Sequence, residues 1–209
     1  YTACTDVIDP FFVEAMRSYV LTRDVKDLRE ELGTGAADVA RIVSEIRERL
    51  KIKLRTQREP EEMYRLMEAV TSFLTNAAAV QPLVIVLEDL HDADKGTLDM
   101  LTHVSRRLSG SRLLIVGTYR DVEVDRTHPL SAALAELRRA SNFGRVQLRG
   151  LNADEVRRML ESITGESFPW GIAEQIHRQT EGNPLFVQEV VRFLAEEGLL
   201  VQKDGRWQA

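Results

Sequence analysis

Two short, uninterrupted apolar runs constrain the fold of this chain more than any other feature. The first, Leu83–Leu87, follows Pro82 and ends at two acidic residues, and the second lies within 112–118. Continuous apolar runs of this length, bounded by turn residues, are typical of strands buried on both faces of a parallel sheet. A helical pattern over about 95–108 separates them. The sequence therefore predicts parallel strands joined by a helical crossover, which is an α/β fold.

Helical patterns and one further strand surround this pair. The opening segment, 1–10, has no clear periodicity, and 51–60 is predicted to be a charged surface loop. A short third strand is predicted at 145–148. The remaining apolar spacing predicts helices that begin at Phe11, interrupted at Gly33 and Gly35, and helices over about 39–50, 61–79 and 130–140.

The pattern changes near Gly150, after which helices replace strands. Asn152 with Glu155 three residues later has the form of a capping box, and helices are predicted over 152–164, 170–180 and 185–197. The end of the chain predicts a hairpin that turns at Asp204–Gly205. We therefore expect an α/β core over 1–150, a helical subdomain over 151–198, and a hairpin over 199–209 that is a possible start of a winged helix.

Composition narrows the function classes. The net charge of -5 argues against a nucleic-acid surface, which needs a basic footprint. A single cysteine, Cys4, precludes an internal disulfide and fits a reducing compartment. The apolar runs are too short to cross a bilayer. We expect a soluble, cytoplasmic protein that contacts neither a membrane nor nucleic acid directly.

Acidic residues follow the first strand directly. Ligands of open parallel sheets bind at the carboxyl ends of strands, and adjacent strand residues such as Glu88 and Asp89 point to opposite faces. One carboxylate could hold Mg²⁺ while the other orients a water molecule against a terminal phosphate. A strand that simply leaves the sheet into an acidic turn explains the cluster equally well. A transition-metal site at His91 is not favoured, because no second histidine lies at ligand spacing.

Two other motifs could contribute to a site. Arg120 follows the second strand and could reach a γ-phosphate with its planar guanidinium, or pair with Asp89 or Asp121 instead. Asn183 and Pro184 follow Gly182, and by themselves these residues are typical of the end of one helix and the start of the next. The sequence contains no match to the phosphate-binding pattern G-x-x-x-x-G-K-[ST], so we expect no backbone cradle for β- and γ-phosphates from this chain.

Three segments in this order, LVIVLEDLHDAD, GTYRD and EGNPLFVQEVVRFL, resemble motifs of the signal-transduction ATPases with numerous domains, the STAND class of P-loop ATPases. Within that class the chain is similar to the AAA-like ATPase domains of bacterial LuxR-type regulators and of proteins that carry a class III adenylate cyclase domain. The segments resemble the Walker B strand, the sensor 1 segment and the helical-lid motif. The Walker A strand and loop of these relatives are lacking, so the resemblance implies a partial P-loop NTPase sheet followed by a small helical lid.

The resemblance implies ATP and Mg²⁺ as cofactors of the intact protein. It assigns Mg²⁺ to Glu88 and a water-polarising role to Asp89; the usual motif places Asp first, so the division of metal binding between these two acids stays open. It also assigns γ-phosphate sensing to Arg120 and base contact to Pro184, beside Asn183.

The expected function is that of a regulatory, ATP-binding ATPase module in a bacterial protein of signalling or transcription regulation. In this expectation the effector or output domains belong to the same protein, homo-oligomers are possible, and hydrolysis requires an upstream phosphate-binding loop. The alternative is a non-catalytic protein-interaction module that keeps the NTPase fold.

Overall fold

A computed structural model of the chain describes residues 10–54, 61–165, 167–197, 201–203 and 206–208. Cys4 and most of the opening segment lie outside the described residues, as do part of the predicted 51–60 loop and the predicted turn at Asp204–Gly205. The chain divides into two compact units, residues 1–144 and 145–209.

The first unit begins with a set of helices that enclose its core. The apolar core contains Phe12, Met16, Ile46 and Phe73, each at most 2% exposed. A 3-10 turn at Gly33–Gly35 lies among these helices, which are α1 (Pro10–Thr22), α2 (Val25–Leu32), α3 (Ala36–Val39), α4 (Ser44–Leu50) and α5 (Glu62–Val80).

Two of the predicted helices are broken in the structure. The helical pattern that starts at Phe11 is interrupted between α1 and α2, where the Arg49 side chain donates hydrogen bonds to the carbonyls of Val20 and Arg23. These bonds satisfy carbonyls at the end of α1, and they come from a residue far along the chain. The predicted helix over 39–50 is likewise divided between α3 and α4, and four residues around this break are buried: Val39, Ala40, Ile42 and Val43.

The predicted parallel strand pair is confirmed. Strand β1 (Leu83–Leu87) pairs in parallel with β2 (Leu113–Gly117), in a register that places Leu83 opposite Leu113 and Leu87 opposite Gly117. Helix α6 (Lys95–Ser105) forms the crossover, and α7 (Pro129–Leu137) follows β2. Both strands therefore end at the same edge of the sheet.

One face of this strand pair is exposed, so the expectation of burial on both faces is wrong within the described residues. Alternate residues of a strand point to opposite faces. Leu87 and Leu113 belong to the core, whereas the other face carries a patch 40–64% exposed, formed by Val84, Val86, Leu114 and Val116. We call these four residues the open sheet face.

The third predicted strand, at 145–148, is also wrong. The structure assigns no strand there, and Val146 and Leu148 are 85% and 88% exposed. A strand requires a hydrogen-bonding partner, and no described strand pairs with this segment.

The second unit contains three helices and a two-stranded antiparallel sheet. The capping box of α8 is confirmed: Asn152 Oδ1 accepts from the Glu155 amide at 2.9 Å, and the Glu155 carboxylate accepts from the Asn152 amide at 2.8 Å. A separate apolar core includes Val156, Leu160, Phe168 and Ile176. The elements are α8 (Ala153–Thr164), α9 (Trp170–Thr180), α10 (Pro184–Glu196), β3 (Val201–Lys203) and β4 (Arg206–Gln208). None of the helices in the described ranges is long and apolar enough to cross a membrane.

Candidate functional site

The ends of β1 and β2 are joined by three hydrogen bonds. The Thr118 amide donates to the Leu87 carbonyl at 2.9 Å, and the Leu90 amide donates to the Thr118 carbonyl at 2.8 Å. Between them, the Asp89 amide donates to Thr118 Oγ1 at 3.1 Å. The parallel register and these bonds hold the acidic turn after β1 beside the segment that follows β2.

Asp89 has an unusual backbone conformation. Its φ is +52°, in the left-handed region, which Asp and Asn tolerate better than most residues. Strand β1 ends at Leu87, so the alternation expected for Glu88 and Asp89 does not fix their directions. Both residues are exposed, with the Asp89 side chain at 61%. Their carboxylates are therefore accessible to a ligand.

The turn after Asp89 leads directly into α6. The Asp92 amide donates to the Asp89 carbonyl at 2.8 Å, which closes the turn. Asp94 is the N-cap of α6, where its Oδ1 accepts from the Thr97 amide at 2.6 Å. Asp94 thus satisfies an otherwise unpaired amide of the first helical turn.

His91 is buried under this turn, with a side chain only 3% exposed. Its Nε2 lies 3.4 Å from Glu123 Oε2 and 3.8 Å from Asp92 Oδ2. Its Nδ1 lies 3.9 Å from Asp89 Oδ1 and makes no hydrogen bond. Glu123, which was not among the residues predicted from the sequence, belongs to the 3-10 turn Asp121–Glu123 after β2. The sequence did hold one indication of this proximity: two parallel strands end at the same sheet edge, so the segments after β1 and β2 leave the sheet side by side.

Arg120 hydrogen-bonds the other oxygen of the same glutamate. Its Nη1 donates to Glu123 Oε1 at 2.9 Å, and its side chain is 66% exposed. The hydrogen bond and charge of Glu123, with smaller contributions from Asp89 and Asp92, raise the pKa of Arg120 above its usual value. The guanidinium stays charged and lies within an acidic cluster at the sheet edge.

Asn183 and Pro184 belong to the second unit. Asn183 caps α10 by accepting from the Leu185 amide at 3.0 Å, and Pro184 is the first residue of that helix. Gly182 before them has a φ of +74°, and its carbonyl accepts from the Leu151 amide at 2.8 Å. Among the predicted site residues, Asp89 is hydrogen-bonded to Thr118, and Arg120, two positions after Thr118, pairs with Glu123. Glu88 directly precedes Asp89.

The predicted acids suit the metal part of an Mg·ATP site. The Glu88 carboxylate is exposed, and no hydrogen bond or ion pair engages it within the part of the chain that the structure describes. Mg²⁺ prefers hard oxygen ligands of this kind and keeps several waters. For the phosphates, the sequence contains no glycine-rich loop with a lysine.

Ligands of open α/β sheets bind outside the carboxyl ends of parallel strands, which is where this chain carries its acids and Arg120. A family model described as an AAA ATPase domain matches residues 3–116, more than half of the chain. The chain belongs to the AAA ATPase domain family. The matched segment includes Glu88, Asp89 and His91 and ends before Thr118. A second family model, described as a domain of unknown function, matches residues 154–208. No match was found among curated proteins or among solved structures.

Proposed function

We propose that this chain is part of a regulatory ATPase module of the STAND class, in which bound ATP controls a bacterial signalling or transcription-regulating protein. The observation that carries the proposal is the hydrogen bond from the Asp89 amide, which lies within the segment that matches an AAA ATPase domain, to Thr118 Oγ1, which lies just after that segment. It couples the segment with the predicted metal-binding acids to the segment with the predicted phosphate sensor.

In this proposal Glu88 holds Mg²⁺ and Asp89 orients the attacking water. ATP would supply phosphate oxygens to the Mg²⁺ ion, and the phosphates would need a loop of the pattern G-x-x-x-x-G-K-[ST], which this sequence does not contain. Arg120 would exchange its hydrogen bond with Glu123 for one with the γ-phosphate. Its 66% exposure leaves the guanidinium free to make that exchange, and a planar fork suits phosphate oxygens. Asn183 and Pro184 are assigned to the adenine base.

The test is calorimetric titration of Mg·ATP into this chain and into a chain extended upstream, followed by hydrolysis assays on whichever binds. We expect binding by the extended chain. Asp89→Asn and Arg120→Ala should each slow its hydrolysis by about a hundredfold, since each removes a positioned group at the reacting phosphate. Asn keeps the tolerance for positive φ at position 89, so the loss would report the carboxylate and not the backbone.

The matched control is Asp99→Asn, which removes an exposed carboxylate of α6 that pairs with Lys95 at 2.6 Å. Hydrolysis by this variant should equal that of the unchanged chain. Failure of both chains to bind Mg·ATP, or equal hydrolysis by Asp89→Asn and Asp99→Asn, would contradict the proposal.

The open sheet face supports a second candidate, a docking module without catalysis. Its four apolar side chains are 40–64% exposed, and contiguous exposed apolar surface marks interaction sites. Analytical ultracentrifugation separates the two functions. A docking module should self-associate or capture a partner without nucleotide, and Val86→Lys should abolish that association.

A further inference from the structure

We propose that His91, Asp92 and Glu123 form a binding site for a divalent transition-metal ion, with Zn²⁺ as the expected ion, in addition to the Mg²⁺ carboxylates assigned above. One ligand atom from each residue lies within 4.8 Å of the other two. Two of the residues belong to the turn after β1 and the third follows β2, so the parallel register assembles the site.

The distances suit a tetrahedral ion. Zn²⁺ binds nitrogen and oxygen at about 2.0–2.1 Å, which places tetrahedral ligand atoms about 3.3 Å apart. His91 Nε2 and Glu123 Oε2 already lie 3.4 Å apart. Asp92 Oδ2 lies 3.8 Å from Nε2 and within 4.8 Å of the glutamate ligand atom, so it must move closer to both atoms to coordinate the ion. Because the Asp92 side chain is 78% exposed, it is free to make that movement.

A buried imidazole whose Nε2 faces two carboxylates, at 3.4 Å and 3.8 Å, distinguishes this site from an ordinary acidic turn. The His91 side chain is 3% exposed, and its Nδ1 is buried without a hydrogen bond. Buried polar atoms without a partner are rare and costly. Metal-bound histidines usually donate their other ring N–H to a carboxylate, and Asp89 Oδ1 is 3.9 Å from Nδ1. A metal on Nε2 would place the ring proton on Nδ1, and the exposed Asp89 carboxylate would have to move closer than its present 3.9 Å to accept it.

Glu123 has one oxygen for each of its two neighbours. Oε1 accepts from Arg120 while Oε2 faces His91, so Arg120 orients the carboxylate without occupying the oxygen that the metal needs. A dication would also offset the charge of three carboxylates around one imidazole. The imidazole ligand favours Zn²⁺ and related first-row ions over Mg²⁺. The exposed side of the site leaves a coordination position for water.

The experiment is titration of the chain with Zn²⁺ by calorimetry, in excess Mg²⁺ and without nucleotide, with Co²⁺ as a spectroscopic probe of the same site. We expect one saturable site and a Co²⁺ spectrum typical of tetrahedral coordination. Glu123→Gln and Asp92→Asn should each weaken the affinity by about tenfold or more. Both positions are exposed, so neither variant threatens folding, and His91→Gln serves as a third variant once circular dichroism shows that it folds.

Three control variants test whether residues outside the proposed site bind Zn²⁺. Glu136→Gln is the matched acid, because Glu136 is 42% exposed and pairs with Arg106 as Glu123 (43% exposed) pairs with Arg120. His177→Gln and Cys4→Ser test two other possible Zn²⁺ ligands of the chain, an imidazole and a thiol. All three should bind Zn²⁺ like the unchanged protein. Absence of saturable binding, loss of binding in Cys4→Ser, or equal affinity for Glu123→Gln and Glu136→Gln would overturn the proposal. Because the assay contains no ATP, its outcome is independent of the ATPase proposal.

Discussion

The amide of Asp89 donates a hydrogen bond to the side-chain hydroxyl of Thr118 across the ends of two parallel strands. Asp89 stands at a φ of +52°, so a residue with a left-handed backbone is attached to its neighbouring strand by a side chain. Such conformations persist where surrounding contacts determine them. The geometry of the acidic turn therefore depends on a residue of the other strand exit.

Replacement of Thr118 by Val tests this dependence. Val has nearly the same shape but lacks the acceptor for the Asp89 amide, so the free energy of unfolding should fall by about 1 kcal/mol. Thr118→Ser keeps the hydroxyl and is the matched variant. Urea unfolding measures both, and equal stabilities for the Val and Ser variants would show that the bond contributes nothing.

Gly182 should tolerate no side chain. A Cβ at this position would lie 1.9 Å from the Leu151 carbonyl oxygen, and its φ of +74° is unfavourable for other residues. Gly182→Ala should destabilise the second unit by about 3 kcal/mol, from backbone strain and steric overlap together.

The matched control for this change is Gly165→Ala. Gly165 has the same φ of +74°, but a Cβ there would meet nothing within 4 Å. Only the conformational cost of about 1 kcal/mol should remain. Thermal unfolding of the two variants separates the cost of backbone strain from the cost of steric overlap. Equal shifts in Tm would refute the predicted clash.

Arg23 should be needed to hold a buried carboxylate. Glu31 is 3% exposed and accepts from Arg23 at 2.7 Å and from the Tyr19 hydroxyl at 3.1 Å. Arg23→Met leaves the buried charge without its cation and should cost about 3 kcal/mol. The double variant Arg23→Met, Glu31→Met should recover most of this loss, because apolar replacement of a buried pair is often neutral.

The control for Arg23 is Arg178→Met, which breaks an exposed pair with Glu174. Exposed pairs contribute about 0–1 kcal/mol, so this variant should unfold almost like the unchanged protein. Chemical denaturation provides the comparison. A double variant no more stable than Arg23→Met alone would argue that the pair is required for the core itself.

Stability of the second unit should fall in acid through Glu155. The hydrogen bond from Arg149, followed by that from the Asn152 amide, lowers the pKa of Glu155 from 4.5 to about 2. A carboxyl whose pKa is depressed on folding stabilises the fold above its unfolded pKa. That contribution is lost as the pH falls from about 4.5 to about 2.

Glu155→Gln should flatten the pH dependence of unfolding in this window, since the amide does not titrate. Circular dichroism melts at several pH values measure the effect, with Glu174→Gln on α9 as the comparison. If the Glu155→Gln variant loses stability between pH 4.5 and about 2 as the unchanged protein does, the loss does not come from Glu155.

Local patterns in the sequence were sufficient to predict most helices and strands. Apolar runs bounded by Pro82 and by acids predicted β1 and β2, and Asn152 with Glu155 predicted the start of α8. In each case the signal lies within a few consecutive residues, either as an apolar run between turn residues or as a capping pair three positions apart. The resemblance to P-loop ATPases rested on three short segments, of which LVIVLEDLHDAD lies within the AAA ATPase family match.

Contacts between distant residues were decided only by the tertiary structure. The Arg49 side chain donates hydrogen bonds to the carbonyls of Val20 and Arg23, at the end of a helix to which it does not belong. Glu123 approaches His91 because β1 and β2 are parallel and in register. The absence of a second histidine at ligand spacing argued against a transition metal at His91, whereas the site proposed above uses a carboxylate from the adjacent strand exit. Periodicity determines which face of a segment is apolar, but the partner that covers that face, or leaves Val84 and Val86 exposed, depends on where the chain returns in space.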